Sequence, residues 1–326
     1  MVVFAQQQTA EEWSNEGARL ARSGQIEQAV EAYQKALKLN PKLIPIYLNL
    51  GIAYFRAGRY VEAEKPFRTF LEEQKENVQA RHLLGLCLLE QEKFAEAAQE
   101  LEAVRQSRGT DVSVLLPLAS VYFRLGDRAR AGEIVQILLQ QDRDSAEVHL
   151  ILGIGYSQGD EDEKAAEELE AARRLNPKLP WVHKRLGEVL VKLGREKEAI
   201  PLYREELRLN PNDAEANYQL GGIFERRGQD AEAEKLLLAA LRFRPGYGDA
   251  CYTLGKLYLK QERLTAAQPL LERSVQLLPN SHSAHYQLGR LYQRLGRRQE
   301  AQEQFRITQI LQQARRDKAR QRISPE

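Results

Sequence analysis

A chain of 326 residues, 43% hydrophobic and 29% charged, has the composition of a folded protein, not of a disordered or collagen-like one. Lys and Arg number 48 against 46 Asp and Glu, and the resulting net charge of +2 singles out no polyanion or nucleic-acid partner. No window approaches the run of about 18 apolar residues that a membrane span requires.

Residues 1–9 read as a tail. Val3-Phe4-Ala5 ahead of a polar run has the look of the end of a secretory signal that lacks its basic region and most of its apolar region. Two readings stay open: a truncated signal peptide, giving an exported or periplasmic protein, or an ordinary terminus, giving a cytoplasmic one.

From Ala10 onward the chain is periodic. An offset of 34 residues brings one small residue into register nine times: Gly17, Gly51, Gly85, Ala119, Gly153, Gly187, Gly221, Gly255 and Gly289. With Ala10 as slot one, these occupy slot eight. Slot seven is Leu in every copy except the first, where Glu16 stands, and slot twenty is Ala throughout, from Ala29 to Ala301. Slots four, seven, eight and eleven follow the spacing of one helical face, as Tyr47, Leu50, Gly51 and Tyr54 show, and define a helix A. Slots twenty, twenty-four and twenty-seven do the same for a helix B, with Ala29, Tyr33 and Ala36 as the first example. Small residues at slots eight and twenty are expected to let the two backbones approach closely.

Breakers fall between these helices. Gly24, Gly58, Gly126, Gly194, Gly228 and Gly296 lie between A and B, where a helix C-terminus favours positive φ. Pro41, Pro177, Pro211, Pro245 and Pro279 follow helix B and block its continuation. The prediction is eighteen helices, the last continued by a basic extension. Departures from the pattern gather at the two ends: Glu12, Glu16 and Arg19 in the first copy, Thr308 and Gln309 in the ninth, as expected of terminal repeats that face water. Residues 10–315 are therefore read as nine repeats and 316–326 as a basic helical extension and tail. The cluster Arg315, Arg316, Lys318, Arg320 and Arg322 suits the negative end of a helix dipole.

Trp13, Gly17 and Leu20, followed by Ala29, Tyr33, Ala36 and Pro41, form a pattern that resembles the tetratricopeptide signature, and the resemblance covers residues 10–315. It implies an all-α fold, a right-handed superhelical α-solenoid of helix-turn-helix repeats. It also implies that slots two, five, nine, twelve and thirteen, which form a second stripe on helix A, line a concave face that holds extended peptides or partner helices. In repeats two to five this stripe is apolar: Leu48, Ile52, Phe55, Leu86, Leu89, Leu116, Phe123, Leu150 and Ile154. In repeats six to nine it carries Trp181, Tyr218, Tyr252 and Tyr286 among Lys184, Lys192, Arg226, Lys256, Lys260, Arg290 and Arg294, with fewer acids, and Lys256 and Arg290 at slot nine are its least common feature. The expected partner is a protein or peptide with an apolar and an acidic segment. The asparagines by which some members of the family clamp chaperone tails or line sugar-transferase arrays are missing: slot nine never holds Asn, and slot six holds it only as Asn15 and Asn49.

Nothing in the pattern builds a reaction centre. There is no phosphate-binding GK[ST] loop, CxxC, HExxH or G-x-S-x-G motif, and Gly153 to Gly159 lies inside a helix A, not after a strand. His149, His183 and His285 share slot four, so the repeat explains their spacing, and neither a metal nor a cofactor is expected. Cys87 and Cys251 fall on buried helix positions, too far apart in a solenoid to pair. The expected role is a non-catalytic adaptor or assembly scaffold. A regulatory subunit for a separately encoded enzyme and, less favoured by the balanced charge, a binder of single-stranded RNA are the alternatives.

Overall fold

The computed structural model describes residues 8–142 and 144–323, with side chains described as far as residue 317. Val3, Phe4 and Ala5, the side chains of Lys318, Arg320 and Arg322, and the last three residues lie outside the described residues.

The described residues form eighteen α-helices and no strand. The hairpins run α1 (Ala10–Arg22) with α2 (Ile26–Leu39), α3 (Ile44–Arg56) with α4 (Tyr60–Glu73), and α5 (Val78–Glu90) with α6 (Phe94–Arg108). Then follow α7 (Val112–Leu125) with α8 (Arg128–Gln141), α9 (Ala146–Gln158) with α10 (Asp162–Leu175), and α11 (Val182–Lys192) with α12 (Glu196–Leu209). The last three are α13 (Ala214–Arg226) with α14 (Asp230–Phe243), α15 (Gly248–Lys260) with α16 (Leu264–Leu277), and α17 (His282–Arg294) with α18 (Arg298–Ile323). The chain thus folds as an α-solenoid of helical hairpins.

Short side chains start most A helices. Thr9, Asn77, Asp111, Ser145, Asp213 and Ser281 each accept a backbone N–H of the first turn, and Thr9 with Glu12 completes a capping box. At the other end of helix A, slot fifteen adopts positive φ in every repeat, with glycine in six and Glu92, Asp160 and Glu262 in the remaining three.

The close approach inside a hairpin has one recurrent geometry. A Cβ added at Gly51 would lie 2.7 Å from the Phe67 ring, and at Gly187 2.9 Å from the Tyr203 ring, so slot eight is hollowed out for the large side chain at slot twenty-four. The fourth repeat narrows the difference, with Ala119 at slot eight and Val135 at slot twenty-four. Slot four joins one repeat to the next: the Tyr47 hydroxyl, His183 Nε2 and His285 Nε2 donate to the carbonyls of Pro41, Pro177 and Pro279 at 3.1, 2.8 and 3.0 Å. Slot eleven makes a second link, since the Tyr122 and Tyr292 hydroxyls donate to Glu102 and Glu272 of the preceding helix B. Burial and these carboxylates push both phenols up to about 12.

Thr308 corrects one expectation. Its side chain is buried, not exposed, because its hydroxyl donates back to the Gln304 carbonyl at 2.8 Å and so satisfies itself within α18. Cys87 and Cys251 are buried thiols, and burial pushes the Cys87 thiol far above its ordinary value.

The chain divides into two compact units, Met1–Asn212 and Asp213–Glu326. The 34-residue register runs through this division unshifted, which is why periodicity does not reveal it.

Candidate binding site

In the first unit a cleft of about 500 Å³ opens on the A helices, within the size range of ligand-holding pockets. Its floor comes from Phe55 of α3, His82, Leu86 and Glu90 of α5, and Val112, Ser113, Leu116 and Pro117 of α7, with Tyr60 at one side. Phe55 and Tyr60 meet edge to face at 5.5 Å between centroids. Leu179, Pro180, Trp181 and Asn210 complete the wall, and Glu147 lies at the rim.

Pro117 shapes the floor through what it lacks. Its missing N–H leaves the Ser113 carbonyl, four residues earlier, without its helical donor, and His82 Nε2 donates to that oxygen at 3.1 Å. Burial is the main cause that holds the His82 imidazole below its usual value, with Arg108 opposing the charge as well. The cleft therefore carries a neutral imidazole at neutral pH.

The wall has an equally local origin. At the start of the sixth repeat the capping position holds Leu179, which has no capping oxygen, and Pro180 then restricts Leu179 to extended backbone. Helix α11 begins only at Val182, two slots later than the other A helices, and Trp181 adopts φ +67° and ψ −7°. A bulky residue in this left-handed region costs about 1–2 kcal/mol. The side chains compensate across the cleft. Leu179 is buried, and Trp181 Nε1 donates to Glu90 Oε1 at 3.0 Å. Lys184, one turn further on, is 1% exposed and places Nζ 3.8 Å from Glu90 Oε2. Asn212 Nδ2 donates to the Ala57 carbonyl at 2.5 Å, over the turn at Gly58.

Of the residues expected on the apolar stripe, Phe55, Leu86, Leu116 and Trp181 come together in this cleft. Leu48 and Ile52 are half-buried on α3 outside its lining. Leu89, Leu150 and Ile154 lie outside the lining and are buried, Leu150 with 0% exposure, and Leu116 is buried to a like degree at the cleft floor, as bulky stripe residues that pack successive A helices are. Phe123 is half-buried and stands apart from this cleft. It lines a different cleft between α8 and α9, where its ring would lie 2.9 Å from a Cβ at Gly155. Lys184 belongs to the interior, not to an exposed basic stripe. Sequence reasoning missed Tyr60, His82, Pro117 and Leu179; the proline at slot six of a helix and the apolar residue at a capping position are the signals that could have found them.

The second unit shows a different face. Tyr218 stacks at 4.8 Å on Tyr247 and packs on a cluster with Ala214, Ala240 and Ala250, and burial pushes its phenol up. Tyr252 is half-buried, and Tyr286 is 47% exposed beside Phe305. The basic residues are mostly answered within the unit: Lys256 pairs with Glu225 at 2.9 Å, Lys260 with Asp230 at 3.1 Å, and Arg294 with Glu262. Lys256 thus ties one repeat to its predecessor while its side chain stays 33% exposed. Arg290 is exposed, with a hydrogen bond to Gln287 at 3.3 Å.

Neither face holds a metal set: among the described residues no three His, Cys, Asp or Glu side chains are grouped to hold an ion. No described helix is long and apolar enough to cross a membrane.

Models of the tetratricopeptide repeat match residues 17–58, 48–111 and 184–248, and 88–153 and 258–323. The chain is 33% identical over 101 residues to sperm-associated antigen 1 of Mus musculus, covering 31% of this chain and 10% of that protein. It is 22% identical over 216 residues to the BBSome complex member BBS4 of Bos taurus, covering 56% of this chain and 42% of that protein. It therefore spans less than half the length of either curated relative. Among solved structures, the anaphase-promoting complex hetero-tetramer Cut9–Hcn1 superposes with a TM-score of 0.62 at 13% identity, over 93% of this chain and 73% of that one, a likeness of fold alone.

Proposed function

We propose, from the premise that this chain belongs to the tetratricopeptide-repeat family, that it is an adaptor or scaffold that binds a protein or peptide on its A-helix faces and carries no reaction of its own. The observation that carries this reading is the apolar cleft of the first unit, which gathers Phe55, Leu86, Leu116 and Trp181 on the stripe that the repeats leave over after packing. In this reading residues 10–315 are the binding array and 316–326 a basic extension.

The partner has two chemically distinct segments: an apolar one for the first-unit cleft, and an acidic one for the second unit at Tyr286 and Arg290. Apolar burial hardly varies with salt, whereas contacts of exposed charges fade as the Debye length falls from about 10 Å at 0.1 M to about 3 Å at 1 M. A pull-down with the intact chain identifies the partner, and titrations of purified components test the division. Phe55→Ala with Leu86→Ala is expected to weaken binding about tenfold or more at every ionic strength. Tyr286→Ala with Arg290→Glu is expected to weaken it chiefly at low salt and to flatten its salt dependence. Normal binding by both double variants, with helical content intact, would remove the proposal.

A further inference from the structure

The cleft is walled in part by a later repeat of its own chain. Trp181 and Glu90 are 91 residues apart in sequence and Asn212 and Ala57 are 155 apart, yet each pair is hydrogen bonded, so the sixth repeat reaches back to the second and third. Trp181 is the one aromatic residue at slot two in nine repeats, and it reaches Glu90 only because the first turn of α11 is replaced by the left-handed turn at Leu179-Pro180-Trp181. The Gly58 turn is equally adapted, since a Cβ there would lie 2.5 Å from Asn212 Cβ.

We propose that Trp181 is the latch of an intramolecular clasp at the wall of the first-unit cleft, and that an apolar ligand seating on Phe55 and Leu86 displaces the indole from Glu90. The half-buried indole forms part of the wall of the cleft that Phe55 and Leu86 line, so a ligand that fills the cleft meets the indole. The strained backbone at Trp181 favours release, and the buried Lys184 keeps Glu90 in place to receive the indole again. The inference rests on the cleft being the binding surface, but its test needs no natural partner.

Trp13 and Trp181 are the two tryptophans of the chain, so Trp13→Phe in the full-length protein leaves Trp181 as the sole reporter. Its fluorescence is expected at shorter wavelength than that of a free indole, with acrylamide quenching several-fold weaker. Addition of the apolar dye 1-anilinonaphthalene-8-sulfonate is expected to raise the quenching toward the free value as the dye displaces the ring. In the otherwise natural chain, Trp181→Ala should bind the same dye several-fold more tightly, with Trp181→Phe in between. Free quenching of Trp181 without dye overturns the clasp. So does unchanged dye affinity in Trp181→Ala or, where that variant loses helicity, in a folded Trp181→Phe. Failure of the Phe55 and Leu86 variants to affect partner binding would instead remove the cleft as a binding surface and leave the quenching result standing.

Discussion

The first unit and the second are made of the same hairpin, and their A-helix faces are nevertheless opposites. In the first, the stripe is apolar and part of it is walled by Leu179 and Trp181 from a later repeat. In the second, the stripe carries tyrosines and cations, and the cations are mostly held by carboxylates one repeat back. The comparison teaches that stripe composition describes what a repeat can offer, while availability depends on what the rest of the chain has already placed against it. An apolar stripe is concealed by apolar side chains and a basic one by acids, because each surface is satisfied by its own complement.

The hairpin packing is the same in both units, and the largest expected effect tests that. Gly187→Leu, against the Tyr203 ring, and Gly255→Leu, where a Cβ would lie 2.7 Å from Leu271, should each destabilise their unit by about 3 kcal/mol through overpacking. Denaturant midpoints that fall in one variant only would show that the two units do not share the packing.

A smaller effect separates the faces. Glu90→Gln leaves the buried Lys184 beside a neutral amide and should destabilise by about 2 kcal/mol, whereas Glu225→Gln, beside the more exposed Lys256, should change stability by less than about 1 kcal/mol. Equal losses in thermal unfolding would erase the distinction between a buried latch and a surface pair.

The smallest effect concerns the clasp alone. Gly24 and Gly58 share a left-handed backbone at φ +78° and +67°, but only Gly58 has a neighbour, Asn212. Alanine at either position should cost about 1 kcal/mol for its backbone. Gly58→Ala should show an additional loss and a rise in Trp181 quenching, both absent from Gly24→Ala. Matching behaviour of the two would mean that the Asn212 contact contributes nothing.

Much of this molecule is legible from its residues because much of it is nearest-neighbour structure. The Leu at slot seven, the glycine at slot eight against the large residue at slot twenty-four, the left-handed slot fifteen and the proline after helix B each involve residues of one hairpin or two adjacent ones. A 34-residue period reports such contacts directly. It also placed the stripe, since side-chain direction on a helix follows from sequence spacing. It did not separate stripe residues that pack one A helix on the next, such as Leu150 and Ile154, from those left at the surface, such as Phe55 and Leu86. That depends on interhelical distances, which composition does not contain.

What the sequence by itself determined was therefore the helices, their pairing and the A-helix face left over after packing. What only the tertiary structure decided was which part of that face is open. The bonds from Trp181 to Glu90 and from Asn212 to Ala57 join residues 91 and 155 positions apart. The bond from Trp181 accompanies the late start of α11 after Leu179 and Pro180. A periodic pattern constrains each repeat only relative to its neighbour, so it carries no signal of where the chain, several repeats later, meets itself.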